Sequence, residues 1–237
     1  MQKNKIQILS TRPVGAELIN EAADNDIIID ELSFIKTEEI VDAAIENKIR
    51  KLSSQDITAV FTSMNAVKAV AKFIKSQPGW KIFCIGNTTK ELVKEYFGEE
   101  PIKGFADNAE QLSKKIIENS SIKNVTFFCG DKRRDDLPGN LIKNGIGVDE
   151  VIVYKTIETP TSLKKQYDGI LFFSPSAVQS FFSKNSISNK TKIFAIGSTT
   201  ANVVKHFVRH PVIIAEIPGK ENLVKLAINH FSKSNIL

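Results

Sequence analysis

The 237-residue sequence has no glycine-rich dinucleotide fingerprint and no phosphate loop; its Gly86 and Gly197 motifs hold a single glycine each. Nucleotide chemistry built on such loops is therefore not expected. Cysteine is scarce. Cys84 and Cys129 each sit inside an apolar strand-like run, which predicts two reduced core thiols rather than a disulfide or a nucleophile. No apolar run is long enough to span a membrane, and Met1-Gln2-Lys3-Asn4-Lys5 leads straight into a short alternating apolar segment. A cytoplasmic chain without membrane contact is the expectation. The three histidines, His206, His210 and His230, have no cysteine or carboxylate at metal-ligand spacing. His206 and His210 stand four apart just before Pro211 and read as cations in a last helical turn. No basic stretch is interleaved with aromatics, so no nucleic-acid platform is expected.

What is present suits a globular enzyme or binding protein. Apolar residues make up 42% of the chain, and its length accommodates two domains of about 110 to 120 residues each. A net charge of +5 suits an acidic partner without choosing among nucleic acid, membrane and polycarboxylate. The lysines are scattered along helical faces, as a solvated surface requires.

Short apolar runs alternate with helical patterns of about 10 to 15 residues, the signature of βα units around parallel sheets. The class is α/β. Self-comparison shows a repeat: Phe61-Thr62-Ser63-Met64-Asn65-Ala66-Val67 matches Phe172-Phe173-Ser174-Pro175-Ser176-Ala177-Val178 at an offset of 111 residues. Ile85-Gly86-Asn87-Thr88-Thr89 and Glu110-Gln111-Leu112 fall on Ile196-Gly197-Ser198-Thr199-Thr200 and Glu221-Asn222-Leu223 at the same offset. Upstream, Asp30-Glu31 and Lys36-Thr37 align with Asp149-Glu150 and Lys155-Thr156 at 119. The eight-residue insertion lies between Thr37 and Phe61, where residues 38–52 read as an amphipathic helix that residues 162–167 shorten in the second copy. Each copy has a natural break after its second strand, near Phe34 and Tyr154. A chain crossing twice there would exchange strand pairs, with 1–35 and 158–237 in one domain and 36–157 in the other.

In parallel sheets ligands bind beyond the carboxyl ends of strands, where helix N-termini present unpaired N–H groups. The repeated motifs fall at such ends. Ser174-Pro175 reads as N-cap and first helical residue, and Ser63 holds the same place before Met64. Each Ser or Thr alone reads as a helix cap; paired clusters facing one another would make a donor-lined cleft suited to carboxylates. Lys132-Arg133-Arg134 follows a third strand and is either an anion grip or a turn neutralised by Asp131, Asp135 and Asp136. At the 119 offset Ile35 becomes Tyr154, either a strand tyrosine or a functional phenol.

The order of Phe61-Thr62-Ser63, Ile85-Gly86-Asn87-Thr88-Thr89, Phe128-Cys129-Gly130 with Leu137-Pro138, Val153-Tyr154-Lys155-Thr156, Phe172-Phe173-Ser174-Pro175-Ser176 and Ala195-Ile196-Gly197-Ser198-Thr199-Thr200 resembles the uroporphyrinogen-III synthases of the haem, sirohaem and cobalamin pathway. The resemblance implies two flavodoxin-like domains joined by two crossing strands, with the active site in the cleft between them. It implies cyclisation of linear hydroxymethylbilane with loss of water and inversion of ring D. Tyr154 would assist departure of the hydroxyl, with Thr89 and Thr200 at the cleft, Ser63 and Ser174 facing substrate, and Lys192 as a basic cleft residue. The family habit implies no cofactor, a monomer, and at most transient contact with the upstream hydroxymethylbilane synthase. Met64 departs from the proline found in the second copy and in many relatives, which bears on the local loop shape. The alternative is a two-domain tetrapyrrole-binding or sensor module without catalysis, against which stand Tyr154 and both threonine clusters.

Overall fold

Runs that a parallel sheet buries on both faces form the strands: Gly169–Phe172 is buried throughout, and Asn124–Gly130 in all but its first residue. The computed structural model describes residues 5–86 and 88–234, so Asn87 of the Gly86 motif lies outside the described residues. The chain runs through β1 (Ile6–Ser10), α1 (Ala16–Ala23), β2 (Ile27–Glu31), β3 (Ile35–Glu39), α2 (Ala43–Ser53), β4 (Thr58–Phe61) and α3 (Met64–Ala71). It continues through β5 (Lys81–Ile85), α4 (Thr88–Phe97), β6 (Ile102–Ala106), α5 (Ala109–Glu118), β7 (Asn124–Gly130), α6 (Asp136–Lys143) and β8 (Gly147–Glu158). There follow β9 (Gly169–Phe172), α7 (Pro175–Phe182), β10 (Lys192–Ala195), α8 (Ser198–Val204), β11 (Val212–Ile214) and α9 (Lys220–Ser234).

The strands form two sheets, ordered β11-β10-β9-β1-β2 and β3-β8-β7-β4-β5-β6. All pairings in the first are parallel, as are those linking β8, β7, β4, β5 and β6 in the second. Numbered from β1, the first sheet has the order 2-1-3-4-5, the flavodoxin-like arrangement. Numbered from β7 with β4 to β6 following, the second has the same order, with β3 added beside β8. The chain divides into two compact units, one comprising the described residues of Met1–Lys36 and Ile157–Leu237, the other Thr37–Thr156. Strands β3 and β8 each carry the chain across that division.

Within each unit, alternate strand residues face opposite sides of the sheet. In the first unit Ile8, Ile27 and Phe194 pack with Leu18, Val224 and Phe231, while Leu9 and Phe172 pack with Phe34, Phe181 and Val204. In the second, Phe61 and Phe128 join Ile49, Val67, Trp80 and Phe97 on one face; Val60 and Phe127 join Leu112, Leu137 and Leu141 on the other. Trp80 stands with ring centroids 5.4 Å from Phe128 and 5.8 Å from Phe97. Its indole N–H donates to the Leu52 carbonyl at 2.9 Å, which removes the cost of burying that donor.

Three local expectations need correction. The helix read over residues 38–52 begins only at Ala43, after Asp42 accepts the Ala44 N–H at 2.7 Å, and Glu38 and Glu39 belong to β3. The second copy has no helix over 162–167. Six residues are too few for a helix unsupported by neighbours, and Asn185 holds the Leu163 N–H at 2.8 Å while the Tyr167 hydroxyl donates to Asp30 at 2.8 Å. His206 and His210 lie beyond the end of α8 at Val204, not within a helical turn.

Candidate active site

In each sheet the strand order reverses at one point, between β1 and β9 in the first and between β7 and β4 in the second. Beyond the carboxyl ends of strands at such a point, α/β sheets bind ligands. Ser174 follows β9 and Ser63 follows β4. Both are N-caps in extended backbone, Ser63 accepting the Asn65 N–H and Ser174 the Ala177 N–H, each at 3.2 Å. With Met64 in the place of Pro175, the first copy still has a serine cap, but Ser63 accepts from the second residue on and Ser174 from the third.

Tyr154 owes its orientation to a break in the β7–β8 ladder. Cys129 pairs with Ile152 but Gly130 with Tyr154, so Val153 is an extra residue on β8. In an undisturbed strand, Val153 and Tyr154 would face opposite sides. The bulge turns both toward one face, and Tyr154 packs against the cluster that contains Val151 and Val153. Its ring then lies across Gly130: a Cβ built there would stand 2.9 Å from the phenol oxygen and closer still to ring carbons. The Asp131 N–H donates to the Tyr154 carbonyl at 3.2 Å, and the Asp131 carboxylate accepts the Thr156 N–H at 2.8 Å, fastening the strand on either side of the ring.

The phenol is half-buried. Burial pushes its pKa above the ordinary value, a hydrogen bond with Ser63 pulls the other way, and the charge of Asp131 adds to the rise. Ser63 accepts from Asn65, and its remaining proton suits donation to the phenol oxygen, which leaves the phenol's own proton for a third group. Tyr154 is thus a neutral donor at physiological pH.

The other expected residues are placed unequally. Thr89 and Thr200 are the second residue of α4 and the third of α8, and both are buried, at 7% and 3% exposure. Thr88, Ser198 and Thr199 are the exposed hydroxyls of those helix starts. A Cβ at Gly197 would meet nothing within 4 Å, so the backbone before α8 is open to close approach. Lys192 is not brought to this edge: it opens β10 at the amino end, beside Gly169, and its charge is felt by His230. The basic turn after β7 is largely self-neutralised, since Arg133 pairs with Glu150 at 2.7 Å and with Asp135, and Arg134 with Asp136 at 3.7 Å. Both cysteines are buried and unpaired, and burial pushes each thiol up to about 11.

Gly130 and Asp131 stand in motifs the sequence shows, but their relation to Tyr154 is not legible there, because it is made by strand pairing across 24 positions. The exposure of Thr88 and Thr199 was signalled by helical geometry: neighbours on a helix point about 100° apart, so only one of each adjacent pair can face inward. Among the described residues no group of three or more His, Cys, Asp or Glu side chains could hold a metal ion, and no helix is long and apolar enough to cross a membrane.

The family model described as uroporphyrinogen-III synthase HemD matches residues 16–225. A solved uroporphyrinogen-III synthetase of Helicobacter pylori superposes with a TM-score of 0.65 at 16% identity, covering 95% of this chain and 99% of that one. A mutant uroporphyrinogen III synthase of the extremely thermophilic bacterium Thermus thermophilus superposes with a TM-score of 0.64 at 13% identity, covering 96% and 99%. At such identities the superpositions speak for the fold, whereas the family match spans most of the sequence. The chain belongs to the uroporphyrinogen-III synthase family.

Proposed function

We propose that this protein cyclises linear hydroxymethylbilane, with loss of water and inversion of ring D, to uroporphyrinogen III. The observation that carries the reading is the half-buried Tyr154 phenol, set across Gly130 by a β-bulge; burial holds its pKa above the ordinary value, so it keeps its proton at neutral pH. Such a group can protonate a departing hydroxyl. The carbon that loses the hydroxyl is a pyrrolylmethyl centre, whose cation is stabilised by the electron-rich ring. Departure is intrinsically easy, and the unassisted chain would close to the symmetric isomer. The protein's task is chiefly conformational: it holds the chain so that the cation meets the substituted carbon of ring D, and the resulting spiro intermediate opens and recloses with that ring inverted. The hydroxyl leaves as water with the Tyr154 proton, and a proton is returned when the pyrrole regains aromaticity.

The acetate and propionate groups of the substrate are met by helix-start N–H groups near Ser63, Thr89, Ser174 and Thr200, where the positive ends of helix dipoles favour anions. Exposed Thr88, Ser198 and Thr199 support this placement. Lys192, at the amino end of β10, is left out of it. The deciding experiment is chromatography of the product formed from freshly generated hydroxymethylbilane. Enrichment of the type III isomer over the spontaneous type I product is the expected result; type I alone would sink the reading and favour a non-catalytic tetrapyrrole-binding module.

A further inference from the structure

Arg12 stands just beyond the carboxyl end of β1, at the point where the first sheet reverses its strand order. Its backbone is fastened from several directions. Buried Thr11 is tied twice to Leu171 of β9: its N–H donates to the Leu171 carbonyl at 3.1 Å and its hydroxyl to the same oxygen at 2.7 Å. The buried Ser10 hydroxyl donates to the Arg12 carbonyl at 2.5 Å. Just downstream, a Glu31 carboxylate oxygen accepts the Val14 N–H at 2.6 Å and the Gly15 N–H at 3.4 Å. The β1–α1 loop is thus held at both ends by buried or charge-assisted hydrogen bonds.

On this fixed loop the Arg12 side chain is exposed, and its guanidinium carbon lies 5.7 Å from the centroid of the Phe173 ring. Phe173 immediately precedes Ser174, the N-cap of α7. Arginine over an aromatic face keeps its in-plane N–H groups free to bind while losing little further rotamer freedom. Arg50, Arg133 and Arg134 each face a carboxylate, at 2.7, 2.7 and 3.7 Å in turn. Arg12 faces none among the described residues, and neither does Arg209, which lies beyond α8 and away from the strand-order reversal; Arg12 is the one of the two that stands at that reversal. The cation at the second sheet's reversal point, Arg133, is matched by Glu150 and Asp135, so the two units differ in which of them offers an unneutralised guanidinium.

We infer that Arg12 is a substrate-specificity residue that grips one carboxylate of the polycarboxylate substrate, its fork meeting the anion beside the α7 N-terminus. The inference rests on the synthase reading proposed above. It assigns to an arginine side chain a contact otherwise left to backbone N–H groups.

The test compares wild type with Arg12→Ala, Arg12→Gln and Arg12→Lys, using hydroxymethylbilane turnover, product isomers and thermal melting. A charge-assisted bidentate contact at a partly solvated site is worth roughly a tenfold change in affinity. Arg12→Ala and Arg12→Gln should raise KM about tenfold, with kcat within about twofold and melting unchanged, while Arg12→Lys recovers part of the loss. Moderate salt should weaken wild type more than Arg12→Ala, because the variant has already lost a screened charge. An unchanged KM in folded Arg12→Ala, or a fall in kcat at constant KM, overturns the inference. If wild type itself yields no excess of the type III isomer, it is the synthase reading that fails.

Discussion

The Tyr154 ring occupies the space a side chain at residue 130 would need. Gly130 is therefore part of the apparatus that holds the phenol, although it carries no functional group. Gly130→Ala should displace the ring, lowering kcat at least tenfold, and should cost about 1 to 3 kcal/mol in stability through overpacking. Urea unfolding separates the two effects. Adding Tyr154→Phe should then lower kcat little further, since both changes act on one hydroxyl.

Tyr154→Phe alone leaves packing intact and, on the proposed mechanism, removes the proton donor. General acids typically contribute about 10² to 10⁴-fold, but this leaving group departs readily and water partly replaces the phenol, so a loss of roughly 10 to 10²-fold in kcat is expected. Product from the variant should remain mainly type III, because inversion depends on how the chain is held. A switch to type I would show that Tyr154 positions ring D instead.

The raised phenol pKa has a consequence for alkaline stability. Folding favours the neutral phenol, so this group supports the native state fully below its unfolded pKa, about 10, and the support is lost as pH rises through the higher native value. Wild type should lose stability more steeply than Tyr154→Phe above about pH 10, and denaturant midpoints measured across that range would show it.

Ser63 and Ser174 both cap helices but have different neighbours. Removing either hydroxyl by alanine substitution should cost about 1 kcal/mol. Ser63→Ala should also lower kcat, because the Ser63 hydroxyl holds the phenol's pKa down against burial; Ser174→Ala should act on KM. Equal kcat losses in the two variants would contradict the coupling of Ser63 to the phenol.

Cys84 and Cys129 should be inert. With thiols pushed up to about 11 and buried, neither should react with a thiol reagent at about pH 8 on the timescale of assay, and both should react on unfolding. Rapid labelling of the native protein accompanied by loss of activity would assign one of them a role absent from the mechanism above.

Features governed by neighbours in the chain were legible in the sequence. The α/β class follows from the alternation of apolar runs with helical periods, and Ser174-Pro175 announces a cap because N-cap chemistry involves only the next few residues. The insertion between Thr37 and Phe61 corresponds to α2, which the second copy lacks over 162–167. Tyr154 could be singled out because its counterpart in the repeat is Ile35. Its orientation could not, because that depends on a bulge in pairing with β7. The same limit separates Lys192, basic but at the amino end of its strand, from Arg12, whose open guanidinium at a sheet reversal is produced by β1 lying beside the sequence-distant β9. Local propensity and capping act over about one helical turn, whereas register, bulges and strand order arise from hydrogen bonds between distant segments, and those decide where Tyr154, Arg12 and Lys192 stand.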